Sequence, residues 1–109
     1  MLTPEFNIVG TVSDGQSLIS EARRLNPDVM VVDLFMPGLS GIEAARELKK
    51  RHSPGSIIFF TVYDDPSFVD AAQAAGAMGY VLKSSADRDL VQAIHEALQG
   101  RFYYSPSLK

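Results

Sequence analysis

Asp28-Val29-Met30-Val31-Val32-Asp33-Leu34-Phe35-Met36-Pro37-Gly38 is the stretch on which the reading of this chain turns. An unbroken apolar run after Asp28 predicts a buried strand over 29–34, because parallel strands covered on both faces read as continuous hydrophobics. It delivers one carboxylate, Asp33, into a turn shaped by Pro37 and Gly38. At the carboxyl end of a parallel strand, where open α/β sheets bind ligands, such a carboxylate is a candidate nucleophile that can take a phosphoryl group as an acyl phosphate. A loop aspartate that merely caps the next helix would give the same stretch, and on these residues alone the two readings are balanced.

Outward from this strand the pattern repeats. A β-rich segment over 6–12 is followed by Ser13-Asp14-Gly15, a turn and helix cap, after which Leu18, Ile19, Ala22 and Leu25 recur at helical spacing. Asn26-Pro27-Asp28 breaks that helix. Beyond Asp33, a helix is predicted over 41–51 with Ile42, Ala45 and Leu48 on one face, then a turn at Ser53-Pro54-Gly55 and a second apolar strand over 57–62. Asp65-Pro66 opens a helix carrying Phe68, Ala71, Ala72 and Ala75, which ends at Gly76-Ala77. A short strand over 80–82 leads to a helix start at Ser84-Ser85-Ala86-Asp87, an inward stripe of Leu90, Val91, Ile94, Ala97 and Leu98, and a stop at Gly100. The tail over 101–109 reads as a linker stub toward an output domain.

Four strands alternating with four helices point to an α/β fold, a parallel sheet with helices on both faces. The loops after the strands then gather at one edge and bring together Asp33, Thr61 and Lys83, which lie roughly 20 to 30 positions apart in the chain. Singly, Thr61 is an ordinary β-branched strand residue and Lys83 a surface ammonium whose stem lies along the sheet edge. Three matching placements argue for a site.

The 109 residues, 46% of them apolar with net charge -3, fit one domain over 1–109. No apolar stretch approaches the ~20 residues that cross a bilayer, and the first residues lack the features of a signal peptide, so the chain reads as cytoplasmic with no membrane partner. The absence of cysteine excludes a disulfide framework, thiolate catalysis and cysteine-bound metal. The acidic balance argues against direct nucleic-acid binding by this segment, and the basic run Lys49-Lys50-Arg51-His52 answers the negative end of a helix dipole. His52 and His95 stand apart from each other in the sequence and read as solvated or dipole-facing side chains.

Asp33-Leu34-Phe35-Met36-Pro37-Gly38, Thr61 closing its strand and Gly79-Tyr80-Val81-Leu82-Lys83 together resemble the receiver domain of two-component response regulators. Val9-Gly10-Thr11-Val12-Ser13-Asp14-Gly15 and Tyr63-Asp64-Asp65-Pro66 are similar to the subfamily with a LuxR-type helix-turn-helix output domain. The resemblance covers nearly the whole chain and implies the flavodoxin-like receiver fold, Asp33 as acceptor of a phosphoryl group from a sensor histidine kinase, and no turnover enzyme. It implies that the Lys83 ammonium and Thr61 hydroxyl neutralise phosphoryl oxygens, that Phe35 offers its backbone carbonyl to Mg²⁺, and that Tyr80 turns inward as Thr61 is drawn toward the phosphoryl group.

The chain departs from the family pattern in two places. It opens at what resembles the last turn of the first receiver helix, so the first strand, most of the first helix and the acidic pair that holds Mg²⁺ are expected to be absent. Mg²⁺ binding and Mg²⁺-dependent phosphorylation are therefore expected to be weak or lost, and a homodimer is expected to compensate for the missing strand. Asp64 and Asp65 read as helix caps and not as replacement ligands. Ser84 stands where many receivers carry proline, and a trans peptide is expected there. The alternative function is a phosphorylation-independent interaction or dimerisation module that pairs through Leu90, Val91, Ile94 and Leu98. A small-ligand binder using the same crevice ranks lower, since no glycine-rich phosphate cradle is present.

Overall fold

The computed structural model describes residues 14–35, 40–52 and 55–105, with backbone alone for 86–88. The strand expected over 6–12, the chain before it, and the turn residues Pro37 and Gly38 lie outside the described residues.

Helix α1 spans Gly15–Leu25, strand β1 Val29–Val32, α2 Gly41–Lys50, β2 Ser56–Thr61, α3 Pro66–Ala74, β3 Gly79–Leu82, α4 Ala86–Leu98 and β4 Tyr103–Tyr104, with a 3₁₀ turn over Lys83–Ser85. Local chemistry sets most of these boundaries. The Asp14 carboxylate caps α1 by accepting from the Ser17 N–H at 2.8 Å, and Asn26 ends the helix in the left-handed region, where asparagine is tolerated. Ser40 and Glu43 form a reciprocal capping box at the start of α2. Asp65 caps α3, with Pro66 in the first turn where its missing N–H costs nothing.

The described strands form one sheet in the order β1-β2-β3-β4, and every neighbouring pair is parallel. Period-2 alternation divides its side chains between two cores. Met30, Val32, Ile57, Phe59, Tyr80 and Leu82 pack under α1, α2 and α3, whereas Ile58 and Val81 pack under Leu90, Ala93, Ile94 and Ala97 of α4. All four residues of β3 are buried, as the central position of a doubly covered strand requires.

The fold class is the expected one, but two boundaries differ. Strand β1 ends at Val32 and not at 34, so Asp33 leads into the loop. The tail is no free linker over its first residues: Tyr103–Tyr104 adds a fourth strand beside β3, and Ser105 is fully buried. No polar–apolar pattern of useful length marks a two-residue strand, and backbone pairing to an open sheet edge does not depend on one.

Candidate functional site

The register pairs Thr61 with Leu82, so β2 and β3 end level, and pairs Val32 with Phe59, so β1 ends two residues short of them with Asp33 next along the chain. Asp33 follows β1, Thr61 closes β2 and Lys83 follows β3. The Lys83 Nζ donates to Asp33 Oδ2 at 3.2 Å across a 50-residue separation. Its ammonium also stands 5.7 Å from the centre of the Phe60 ring. Both partners are open to solvent, at 41% for Lys83 and 45% for Asp33, so the pair adds only ~0–1 kcal/mol to folding. An incoming anion can therefore displace it at little cost.

Gly41 brings α2 against this edge. A Cβ there would collide with the Asp33 carbonyl and stand 2.9 Å from both the Leu34 carbonyl and the Phe59 ring, while the Gly41 N–H donates to the Leu34 carbonyl at 3.0 Å. This close approach holds the backbone that carries Asp33. A glycine after a serine cap is unremarkable in a sequence, so the requirement was not legible there.

Thr61 and Tyr80 are joined through a residue that sequence reasoning missed. The buried Thr61 Oγ1 accepts from the Tyr63 N–H at 3.2 Å, and the buried Tyr80 hydroxyl donates to the Tyr63 carbonyl at 2.7 Å. Burial, with Asp64 and Asp65 nearby, pushes the Tyr80 phenol up to about 12. Thr61 thus stands on the strand end beside Lys83, with its hydroxyl engaged in the loop after β2. Phe35 lies half-exposed with its ring edge-on to Tyr63 at 4.9 Å and to Phe68 at 5.7 Å.

Asp65 caps α3, as expected, and no three acidic, histidine or cysteine side chains gather into a metal-binding group among the described residues. Mg²⁺ takes near-octahedral oxygen ligation from carboxylates, water and phosphate. At this edge Asp33 Oδ2 accepts from Lys83, while Asp64 and Asp65 lie in the loop after β2. No cis peptide bond occurs among the described residues, in line with the expected trans link before Ser84. Of the four residues expected to pair helices, Leu90 and Ile94 are committed to the core under α4, while Leu98 is exposed. No described helix is long and apolar enough to cross a membrane.

The family model of the response regulator receiver domain matches residues 1–95. The chain belongs to that family. It is 36% identical over 107 residues to the nitrate/nitrite response regulator protein NarL of Escherichia coli K12, a match over 98% of this chain and 50% of NarL. Among solved structures it is similar to a LuxR-family two-component response regulator from Aurantimonas sp. SI85-9A1, with TM-score 0.91 and 38% identity over 96% of this chain and 75% of that one. It is also similar to the isolated receiver domain of RcsB from Salmonella enterica serovar Typhimurium in the presence of the phosphomimetic BeF₃⁻, with TM-score 0.82 and 30% identity over 94% of this chain and 76% of that one. The chain spans about half the length of the curated relatives it matches.

Proposed function

We propose that this chain is the phosphoacceptor receiver of a two-component response regulator, with Asp33 as the acceptor. The observation that supports the reading is the 3.2 Å contact between Lys83 Nζ and Asp33 Oδ2, a cation beside the carboxylate on which a phosphoryl group would bring negative charge. A carboxylate oxygen of Asp33 forms the new P–O bond as the P–N bond of a kinase phosphohistidine breaks, and the electron pair leaves with the imidazole nitrogen. Lys83 then moves from the carboxylate to the phosphoryl oxygens, and Thr61 offers its hydroxyl to another. Because Thr61 and Tyr80 both hold Tyr63, drawing the Thr61 hydroxyl away loosens the loop that the Tyr80 hydroxyl pins. The partner is a sensor histidine kinase, the output is transcriptional, and the setting is cytoplasmic.

Phosphorylation of the 109-residue chain by itself is impaired on this reading, since no group of three acidic or histidine side chains gathers among the described residues to hold Mg²⁺. Incubation with acetyl phosphate and Mg²⁺, followed by intact-protein and peptide mass spectrometry, tests both parts. Substoichiometric label on Asp33, lost in Asp33→Asn, is expected. Stoichiometric label on Asp33 removes the impairment and keeps the acceptor; no label on Asp33 overturns the acceptor assignment.

Self-association belongs to the same reading. Val31 on β1 and Leu98 on α4 are 41% and 51% exposed, and β1 has no strand partner on its outer edge among the described residues. Light scattering at tens of micromolar is expected to give a dimer, and a monomer alone would remove this part.

A further inference from the structure

We propose that Ser105 is a positioning residue for Lys83, so that the segment after α4 is part of the Asp33 site and not a tether leaving it. Lys83 has little to hold it by its own side chain. Its side chain is 41% exposed, its four-carbon stem is flexible, and its ammonium meets the exposed Asp33 and the Phe60 ring. Where the ammonium lies is therefore set by where the backbone releases it, at the junction between Leu82 and the 3₁₀ turn over Lys83–Ser85.

That junction is held from the tail. The Tyr103 N–H donates to the Met78 carbonyl and the Ser105 N–H to the Tyr80 carbonyl, each at 3.1 Å, which aligns the tail parallel to β3. The next rung of such a ladder would run from the Leu82 N–H to the Ser105 carbonyl. The Ser105 side chain takes that place: the Leu82 N–H donates to Ser105 Oγ at 3.1 Å in a fully buried contact. A second anchor fixes the same segment to α4, where the Tyr103 hydroxyl donates to Oδ1 of the buried Asp89 at 3.0 Å. The Val81–Leu82 peptide, one residue before Lys83, thus has its N–H held on the tail side by one hydroxyl. Removing it leaves the buried Leu82 N–H without that acceptor and the strand end held on its β2 side alone.

The inference rests on the Lys83–Asp33 contact and not on phosphoryl chemistry, so it is tested in the metal-free, unphosphorylated 109-residue chain. Nitrogen-15 side-chain NMR at low temperature reads the exchange of the Lys83 ammonium protons with water, and Asp33→Asn sets the value for an unpaired ammonium. In the wild type, exchange is expected to be about threefold slower than in Asp33→Asn, and Ser105→Ala is expected to recover most of that difference. Ser105→Thr, which keeps the hydroxyl, should restore the wild-type value.

A residue with a merely structural role would lower thermal stability and speed exchange of the Leu82 amide while leaving the Lys83 ammonium unmoved, and that result overturns the proposal. So does a wild-type ammonium that exchanges as fast as in Asp33→Asn, because no held geometry then exists. If Ser105→Ala does not fold, Tyr103→Phe loosens the same segment from its Asp89 anchor; an unmoved Lys83 signal in that variant counts against the proposal equally. Failure of Asp33 to accept phosphoryl, with the Lys83 response intact, refutes the function proposed above and leaves this inference standing.

Discussion

Tyr63 links Thr61 to Tyr80 through its backbone: its N–H is held by Thr61 and its carbonyl by Tyr80. Tyr80→Phe removes one donor and leaves that carbonyl short of a partner, so unfolding in urea at neutral pH should show a loss of about 1–2 kcal/mol. The same hydroxyl predicts an alkaline limb. Its folded value near 12 lies above the ordinary 10.0, so Tyr80 stabilises the fold fully below pH 10 and that contribution is lost as pH rises from 10 to about 12. Denaturant midpoints measured across that window should fall more steeply for the wild type than for Tyr80→Phe. At Gly41 the prediction is steric: Gly41→Ala must push the Asp33 carbonyl or the Phe59 ring aside, at a cost of about 1–3 kcal/mol in thermal or urea unfolding.

Two of the helices are started by carboxylates and one by a hydroxyl. Asp14 and Asp65 accept from the backbone N–H groups of Ser17 and Ser67, and those bonds hold both carboxyls below the usual carboxylate range. Lowered values add stability above pH 3.8 that is lost as pH falls through the folded values, so the acid limb of unfolding should flatten in Asp14→Ala and Asp65→Ala. Proton NMR of the Ser17 and Ser67 amides checks each cap directly. Ser40→Ala breaks the capping box of α2, and a loss of about 1 kcal/mol is expected in urea unfolding with no dependence on acid pH from Ser40 itself. The strand after α4 is the element that sequence reading missed. Residues 101–109 read as linker because their composition carries no period, whereas β4 is held by main-chain bonds and by two side-chain hydroxyls, of Tyr103 and Ser105.

Across the whole molecule, the exposed Asp33–Lys83 pair contributes little to folding, and its value lies in what it is ready to hold. Asp33→Ala should therefore change stability by less than about 1 kcal/mol while abolishing any phosphoryl uptake, measured by urea unfolding and mass spectrometry on the same preparation. That variant also separates the two readings of function at molecular scale: a phosphoacceptor loses its signal, whereas a phosphorylation-independent interaction module keeps its association state in light scattering. The burial of Leu90 and Ile94 already takes two side chains away from a helix-pairing surface.

The order and type of the described elements through α4 were legible in the residues, since apolar runs, helical spacing and capping side chains act over a few positions and carry their own periods. So was the meeting of Asp33 and Lys83, with Thr61 at the end of the strand between theirs, because parallel topology brings successive strand ends to one edge whatever their separation in the chain. Three features needed the tertiary structure: the backbone approach at Gly41, the sharing of Tyr63 between Thr61 and Tyr80, and the docking of residues 103–105 on β3. Each depends on main-chain groups meeting side chains from distant elements, and a main-chain N–H or carbonyl is the same in every residue but proline, so no residue type announces it.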